Sequence, residues 1–479
     1  MVTWLDACRE DIARRGLDPE LAEVLRAFGG DTAPGPAALD APLPRETLPA
    51  RIDTVLGAEV DPHQAALFAR RFRAVSALLD QRSEPEARLL QVMLYRRGAQ
   101  LLDEAAPHAL RVRALVDFVW SQAAVLQHRR EDAPTLEDLV AGLQTRALGP
   151  GLSHGLIEGV SQEGPIHVNV LRARAPRLRT LDARGAGGLV ELARAHGAPA
   201  AISGGFFLYS EPDIEPPSQR TDPVGFLVDQ GQLSGPPVFR RASLLQCTAG
   251  SLRIARVGLH GVCVRIGATV AEVGRDAQAV HRAHAEHVEA GPGRAVAIVG
   301  RKVVAVSQGA LRVPLAGFVL LLPPGPAIEV GALVDYTLPG PALRAAMAGG
   351  PLLLGPDALD LTQEDFAGSA PPLTFSRDET YDRNLLPRMG VGLTAADELV
   401  VVAVDGRNAE RAPGLTLRAT ARLLEALGCT RAMNLDGGSS KRMVVDGRVV
   451  DLPSTGVVAA GSEPEGIRPV HSAILFLPD

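Results

Sequence analysis

The sequence is poor in cysteine, carries no excess of positive charge and has no long apolar run. Its four cysteines lie far apart without a CxxC pair, which predicts neither a zinc site nor a disulfide framework and indicates a reducing compartment: Cys8, Cys247, Cys263 and Cys429. The net charge of −6 argues against binding to nucleic acid, because backbone phosphates usually need a basic face. No segment is long and apolar enough for a membrane span or a secretory signal, so we expect a cytoplasmic protein that does not act at membranes.

Several familiar catalytic and nucleotide-binding motifs are also missing. The sequence has no P-loop, no GxGxxG fingerprint and no GxSxG elbow. Ser439 and Ser440 lie beside glycines, but a serine nucleophile is not expected, with His471 left open as a partner. The histidines of "HRAHAEHVEA" are interpreted as a helical run whose side chains spread around the helix, which does not suit a metal site: His281, His284 and His287. We therefore expect neither a metal ion nor another cofactor.

The chain of 479 residues is long enough for two or three domains. Apolar residues at three- and four-residue spacing predict an all-α accessory domain over residues 1–150, whose protein partner the sequence does not identify. From residue 151 onwards, strand-like runs alternate with turns and a few helices. This pattern predicts a mixed α/β (α+β) catalytic domain over residues 151–479, with a mixed β-sheet and flanking helices. Its size makes an inserted subdomain at 240–340 plausible.

The segment from Glu398 to Asp436 has the pattern of a strand–helix–strand crossover. The run "ELVVVAV" ends at Asp405-Gly406-Arg407, a helix is expected after the N-cap Thr416, and the run "AMNL" ends at Asp436. Such a crossover predicts two parallel strands that end at the same edge of a sheet, where ligands usually bind. A plain turn is the alternative for each Asp-Gly pair. At Asp446-Gly447, which has strand residues on both sides, we predict a hairpin turn.

Two further features suit a site for an anionic ligand. The strand ending at Ser203 runs into Gly204-Gly205, where backbone amides could approach a ligand, although a simple buried turn is an equally good interpretation. Three arginines lie at predicted strand ends and could grip a phosphate or carboxylate, or could be surface charges: Arg388, Arg407 and Arg468.

These segments, in this order, resemble the phosphodiester glycosidase family over about residues 150–479. The resemblance rests on the runs "AAISGGFF", "LPRMGVGL", "VVAVDGR", "GLTLRATARLLEALGCTRAMNLDGGSS" and "IRPVHSAILF", among others. Two departures stand out. Ser203 replaces the asparagine of the family's Asn-Gly pair, and Lys441 and Arg442 replace small hydroxyl residues in the run from Asp436 to Met443.

The resemblance implies hydrolysis of a sugar-1-phosphodiester, or of a nucleotide sugar, at the anomeric carbon with a phosphate leaving group. It implies that Asp436 acts as base or nucleophile and that Asp405 is the second carboxylate or orients sugar hydroxyls. It places the following residues, together with the three arginines, around the phosphodiester: Ser203, Gly204, Gly205, Gly437, Gly438, Ser439, Ser440 and Lys441. Two alternatives are transfer of the sugar to an acceptor in a biosynthetic pathway, and a catalytically degenerate module that binds sugar phosphates.

Overall fold

The computed structural model describes residues 47–59, 62–82, 132–184, 187–208, 222–365, 385–408, 411–453 and 469–478, with Arg45 and scattered residues between 87 and 124. The chain divides into two compact units. One comprises Met1–Arg129 with Gly456–Ser462, and the other Arg130–Thr455 with Glu463–Asp479. Arg468 and the segment 366–384 lie outside the described residues.

In the first unit, two helices are described, α1 (Leu48–Glu59) and α2 (Pro62–Asp80). On α2, Phe72, Val75 and Leu79 recur at intervals of three and four residues and are buried, which is the spacing of an amphipathic helix. The ring of Tyr95 meets Phe72 edge-on, with the centroids 6.0 Å apart. No helix among the described residues is both long enough and apolar enough to cross a bilayer.

The described residues of the second unit include three short helices and two 3-10 turns. The helices are α3 (Leu136–Ala141), α4 (Leu189–Ala195) and α5 (Leu417–Ala426), and the 3-10 turns are Leu361–Gln363 and Gly438–Ser440. The capping box expected at Thr135 is present, since its hydroxyl accepts from Asp138 N and the Asp138 carboxylate accepts from Thr135 N.

Twenty-six strands are described in the second unit. The first nine are β1 (Thr145–Gly149), β2 (Leu152–Ser161), β3 (Gly164–Arg174), β4 (Arg177–Asp182), β5 (Ala200–Ser203), β6 (Leu227–Asp229), β7 (Gln232–Gly235), β8 (Arg241–Cys247) and β9 (Leu252–Val257). The next nine are β10 (Cys263–Ile266), β11 (Thr269–Glu272), β12 (Gln278–His281), β13 (His287–Glu289), β14 (Arg294–Val299), β15 (Lys302–Ser307), β16 (Ala310–Arg312), β17 (Gly317–Leu322) and β18 (Val334–Thr337). The last are β19 (Leu343–Ala348), β20 (Leu352–Leu354), β21 (Arg388–Thr394), β22 (Glu398–Val404), β23 (Cys429–Leu435), β24 (Met443–Val445), β25 (Arg448–Val449) and β26 (Ser472–Leu477).

The strands form six sheets, in which each described strand pair is antiparallel. The largest sheet has the order β1-β2-β3-β22-β21-β23-β20. Two five-stranded sheets have the orders β7-β6-β19-β8-β9 and β25-β24-β5-β26-β4. Residues 263–337 make three smaller sheets, β11-β10-β18, β12-β17-β14-β15 and β13-β16, and a core cluster there includes Val296, Phe318 and Leu320.

The predicted fold class, mixed α/β with a mixed sheet and an all-α N-terminal domain, is wrong. Strands account for 45% of the structure and helices for 17%, and the strand pairing is antiparallel. Strand β22 explains part of the error. Its alternate residues Val400 and Val402 pack with α5, while Val401 faces the opposite core, so an antiparallel strand covered on both faces has the continuous apolar run typical of parallel sheets. In the predicted all-α region, most residues lie outside the described part, and β1 begins at Thr145.

The crossover from β22 through α5 to β23 is nevertheless present. Strand β21 lies between β22 and β23 and is antiparallel to both, so β22 and β23 run in the same direction and finish at the same end of the sheet. The prediction that Asp405 and Asp436 follow two strands at one edge is therefore confirmed. Because β21 runs the opposite way, Arg388 at its start lies at that end too, opposite Val404. We call this end of the sheet the 405/436 edge.

The hairpin turn predicted at Asp446-Gly447 is also confirmed. These two residues connect β24 to β25 and have φ angles of 49° and 72°, the left-handed conformation that two-residue hairpin turns require. Glycine is the residue that adopts this conformation without strain, and aspartate tolerates it better than most others.

Loss of the cap on α5 should destabilise the second unit. The Thr416 hydroxyl accepts from Ala419 N at 3.0 Å, and its removal leaves that amide without its cap. We expect Thr416→Ala to cost about 1 kcal/mol, seen as a lower urea midpoint followed by circular dichroism. Glu425→Ala, an exposed change on the same helix, is the matched control and should stay within about 0.5 kcal/mol of the native chain. Equal midpoints for the two variants would contradict the capping role.

Candidate active site

Asp436 lies at the 405/436 edge beside the turn that follows β5. It comes directly after β23, its side chain is neither fully buried nor fully exposed, and its backbone N–H donates to the carbonyl of Gly204 at 3.2 Å. A small pocket brings it together with the nearby Ser440 and with residues that are distant in the chain: Ser203, Gly204, Gly205, Phe207, Pro469, Val470, His471 and Ser472. Asp436 is the acidic residue among the described residues that line this pocket.

Close backbone packing explains why glycine follows both strands. A Cβ atom on Gly205 would lie 2.2 Å from the carbonyl oxygen of Ala348, and one on Gly437 would lie 2.5 Å from the carbonyl oxygen of Pro387. No side chain fits at such distances. Gly438 has a φ of 57° and donates its N–H to the same Pro387 oxygen at 2.9 Å. The predicted pairs Gly204-Gly205 and Gly437-Gly438 therefore both border the Asp436 site, where the packing alone requires glycine.

One of the three predicted arginines borders the turn after Asp436. A Cβ on Gly438 would lie 3.4 Å from Nη1 and from Nη2 of Arg407, so the guanidinium group lies against this turn. Arg407 is 4% exposed and has a φ of 62°. Arg388 is buried, and its Nε donates to the carbonyl of Leu415 at 3.1 Å. Arg468 lies outside the described residues.

Asp405 is buried, and its carboxylate contacts several groups of the chain. Its side chain is 1% exposed, and the ammonium of Lys441 contacts Oδ1, to which Leu452 N also donates at 3.1 Å. His167 Nδ1 lies 2.5 Å from Oδ2. Burial by itself raises the pKa of Asp405, but Lys441 and His167 lower it more, so the pKa lies below its usual value and the group is ionised at neutral pH.

A second buried carboxylate, Asp451, shares the same lysine. Lys441 Nζ donates to Asp451 Oδ2 at 2.7 Å, Arg442 Nη1 donates to that oxygen at 3.2 Å, and Met443 N donates to Oδ1 at 2.6 Å. Two carboxylates thus face one ammonium and one guanidinium group in the interior, a pairing that a buried charge needs in order to be tolerated. We call Asp405, Asp451, Lys441, Arg442 and His167 the Lys441 network.

The Lys441 network is joined to the pocket through Ser203. Arg442 N donates to the Ser203 hydroxyl at 3.0 Å, and Ser203 N donates to the Arg442 carbonyl at 2.9 Å. The residue after Ser203 is the Gly204 that accepts from Asp436. The described hydrogen bonds and ion pairs of Lys441 and Ser203 are therefore made to other groups of the protein itself. Ser439 lies in the 3-10 turn next to Ser440, which reaches the pocket. The substrate-binding roles given to these residues stay predictions.

Sequence reasoning missed His167 and Asp451. His167 lies within the apolar run of β3, and pairing of β3 with β22 sets Val168 opposite Val404, next to Asp405. Asp451 follows the β24–β25 hairpin, so the hairpin brings it back beside Lys441 and Arg442. The signal that could have revealed His167 was an isolated histidine within a buried strand. For Asp451, the signal was a carboxylate directly after a hairpin that begins beside two cations.

The pocket also contains an imidazole. The ring of His471 stacks on Phe207 with 3.8 Å between centroids, and His471 and Ser440 line the same pocket as Asp436. The histidine that the sequence left open as a partner for the serines therefore lines the same pocket as Ser440.

Comparison with known proteins bears on this edge of the sheet. Residues 316–477 match the model of a family described as phosphodiester glycosidase, a range that contains Asp405, Asp436, Lys441 and Asp451. The family resemblance inferred from the sequence is thereby confirmed for residues 316–477, which are similar to phosphodiester glycosidase domains.

Individual relatives are distant. The SPbeta prophage-derived uncharacterized protein YomE of Bacillus subtilis (strain 168) is 35% identical over 74 residues, which are 15% of this chain and 11% of that protein. A hypothetical protein from Synechocystis has a TM-score of 0.46 and 21% identity, covering 72% of this chain and 64% of the other. The catalytic domain of zebrafish N-acetylglucosamine-1-phosphodiester alpha-N-acetylglucosaminidase, auto-inhibited by its pro-peptide, has a TM-score of 0.40 and 15% identity, covering 74% and 98%.

Removal of the shared lysine charge should destabilise the second unit strongly. In Lys441→Met the chain keeps most of the side-chain volume but leaves Asp405 and Asp451 without their common cation, and breaking a buried pair in this way costs about 3–5 kcal/mol. The measurement is a urea titration. The chain has one other lysine, the exposed Lys302, and Lys302→Met is the matched control, expected within about 0.5 kcal/mol of the native chain. Similar midpoints for both variants would show that the lysine contributes little.

The lowered pKa of Asp405 predicts a specific loss of stability in acid. A carboxyl group whose pKa is lower in the folded state stabilises the fold fully at pH values above its unfolded-state pKa of about 3.9. This stabilisation is lost as the pH falls through the folded-state pKa. We expect the Tm difference between the native chain and Asp405→Asn to be constant above about pH 5 and to shrink below about pH 4. Asp446→Asn, in the exposed hairpin, should follow the native chain throughout. A constant difference down to pH 2 would contradict the lowered pKa.

Proposed function

We propose that this protein is a hydrolase that cleaves a glycosyl phosphodiester at the anomeric carbon, with a phosphate ester as leaving group. The match of residues 316–477 to the phosphodiester glycosidase family supports the reaction class. The observation that carries the assignment to a residue is the position of Asp436. It is a partly exposed carboxylate at the 405/436 edge that lines a small pocket together with the Gly204-Gly205 turn.

The chemistry matches these groups. Cleavage at the anomeric carbon develops oxocarbenium character on the sugar and negative charge on the departing phosphate. Asp436 faces the sugar in this proposal, either as a nucleophile or as a base that activates water. The guanidinium of Arg407, which lies against the turn after Asp436, stabilises the phosphate charge. A phosphate is a better leaving group than an alkoxide, so the reaction needs little help from a general acid.

Asp405 takes a positioning role in this proposal. Its carboxylate is 1% exposed and is held by Lys441, His167 and Leu452 N, which leaves it no direct access to a substrate. Its effect on the reaction is exerted through the Lys441 network, which connects to Ser203 and thereby to the turn that accepts the N–H of Asp436. Of the two carboxylates expected from the sequence, we assign direct contact with the substrate to Asp436.

Product analysis distinguishes hydrolysis from the two alternatives. The purified full chain is incubated with UDP-N-acetylglucosamine and other nucleotide sugars, chosen because of the expected cytoplasmic location, and with the methyl phosphodiester of N-acetylglucosamine 1-phosphate. Release of free sugar with one equivalent of nucleoside diphosphate or methyl phosphate supports the proposal. A new glycoside formed in the presence of a hydroxyl acceptor supports transfer. Binding by calorimetry without any product supports a degenerate module.

Asp436→Asn should remove most of the activity without unfolding the protein. The amide keeps the shape of the side chain but cannot act as a base or nucleophile, so we expect kcat to fall about 10²–10⁴-fold or more, with Tm unchanged within 2–3 degrees or about 1 kcal/mol. The matched control is the same exchange at Asp446 in the exposed hairpin, which should keep full activity.

A further variant tests the serine alternative at the same pocket. Ser440→Ala removes the hydroxyl of the serine that lines the same pocket as His471, while leaving Asp436 in place. Activity within a few-fold of the native chain is expected. If instead Asp436→Asn is folded and fully active while Ser440→Ala is inactive, the carboxylate mechanism is wrong and a serine nucleophile replaces it.

A further inference from the structure

A second cavity, separate from the Asp436 pocket, contains a cluster of metal-ligating side chains. It has a volume of about 900 Å³, and its lining includes His281, His284 and Asp365. None of these three residues is used in the proposed glycosidase chemistry. We propose that His281, His284 and Asp365 bind a divalent transition-metal ion of the Zn²⁺ type, with an open coordination position towards the cavity.

The distances suit a single ion. His281 Nε2 lies 3.0 Å from Asp365 Oδ2, His284 Nε2 lies 3.6 Å from Asp365 Oδ1, and the three donor atoms all lie within 4.8 Å of one another. Ligands of a tetrahedral zinc ion with bonds of about 2.0–2.1 Å are about 3.3 Å apart. The two measured separations lie on either side of that value, so small side-chain rotations suffice to close the site around an ion.

The carboxylate of the cluster is held in place by backbone contacts. Arg240 N donates to Asp365 Oδ2 at 2.6 Å, and Asp365 N donates back to the Arg240 carbonyl at 3.0 Å. The preceding residue, Glu364, is buried, and its carboxylate accepts from Ala242 N at 2.8 Å and from Leu352 N at 2.7 Å. These four hydrogen bonds fix the segment to β8 and β20. A ligand held by its surroundings in this way loses little entropy when the ion binds.

The arrangement of the two histidines suits the form that binds metal. The rings of His281 and His284 are tilted by 34° with 3.9 Å between centroids, an arrangement that two imidazolium ions would oppose, and the neutral imidazole is the form that binds metal. The two arginines that line the cavity are engaged elsewhere. Arg240 Nη1 donates to the Gln363 carbonyl at 2.8 Å, and Arg275 pairs with Glu272 and Asp276 at 2.8 and 2.9 Å.

The ligand set also selects the kind of metal. Two imidazoles and one carboxylate suit zinc and neighbouring transition metals, whereas magnesium and calcium prefer oxygen ligands. Three protein ligands leave at least one position for water or for an anionic group of a molecule in the cavity. His284 is 59% exposed at its side chain, so an ion can reach the cluster from solvent.

The helical interpretation of the histidine run is wrong, and this explains why the cluster was not expected. Strand β12 ends at His281, a turn in which His284 N donates to the His281 carbonyl at 2.9 Å follows, and β13 begins at His287. The turn folds His284 back over His281, while His287 lies on a different strand opposite Arg312. Asp365 comes from a segment about 80 residues further on, so no local spacing could reveal it.

Metal binding to the full chain tests the proposal without reference to glycosidase activity. The protein is stripped with a chelator, dialysed, and titrated with Zn²⁺ by calorimetry and with Co²⁺ by visible absorption. We expect one ion per chain, a Co²⁺ spectrum of a four- or five-coordinate site, and a Tm that rises with free Zn²⁺. Absence of stoichiometric binding to the folded, stripped protein would overturn the proposal.

Three variants test which side chains bind the ion. His284→Ala is at an exposed position and should fold, and Asp365→Asn removes the carboxylate charge; each should weaken Zn²⁺ binding by more than the 10–100-fold typical of an outer-sphere change. His287→Ala is the matched control, because His287 is exposed and lies outside the cluster, and it should bind as the native chain does. Equal weakening by His287→Ala and His284→Ala would show adventitious binding to surface histidines and would reject the site.

Discussion

The contact of one buried ammonium group with two buried carboxylates determines the arrangement of the 405/436 edge. Lys441 lies between Asp405, at the end of β22, and Asp451, after the β24–β25 hairpin, and its side chain is fully buried. A charge in this environment is tolerated only when it is paired, so each of the three positions depends on the other two. The chain segment between Asp436 and Met443 is thereby fixed against the end of β22. Through Ser203 the same contact fixes the turn that faces Asp436.

The two aspartates at this edge have different environments and therefore different chemistry. Asp405 is enclosed by the Lys441 ammonium, His167 and Leu452 N, which keep it ionised and occupy its oxygens within the protein. Asp436 is partly exposed and lines a small pocket beside the Gly204-Gly205 turn. Separation of a positioning carboxylate from a reacting one is common in enzymes, because the reacting group must be accessible while its surroundings stay rigid. Lys441 and Arg442, which stand where the family has small hydroxyl residues, are thus buried within the 405/436 edge.

The sequence predicted the parts of the site that depend on local chain geometry. Between Glu398 and Asp436, the strand runs, the helix N-cap, the helix pattern and the glycine that ends the helix are all local signals. Together they correctly placed both aspartates at one edge of the sheet. The fold class was not predictable in the same way, because β21, which precedes β22 in a hairpin, lies between β22 and β23 and pairs antiparallel with both. Two members of the Lys441 network were missed for a similar reason. His167 reaches Asp405 only through the pairing of β3 with β22, and Asp451 only through the return of a hairpin. The spacing of His281 and His284 fits a helix or a turn equally well.

The burial of Lys441 has a consequence for the chemical reactivity of the chain. Almost all of the positive side-chain charge of this protein is carried by arginine, and Lys302 and Lys441 are its two lysines. Lys302 is exposed at the start of β15, whereas Lys441 is sealed in the interior as an ammonium ion. An amine-directed reagent therefore finds one lysine side chain in the folded molecule and a second only when the edge around Asp405 opens. Acylation of Lys441 thus records how often that region opens, whether by local or by global unfolding.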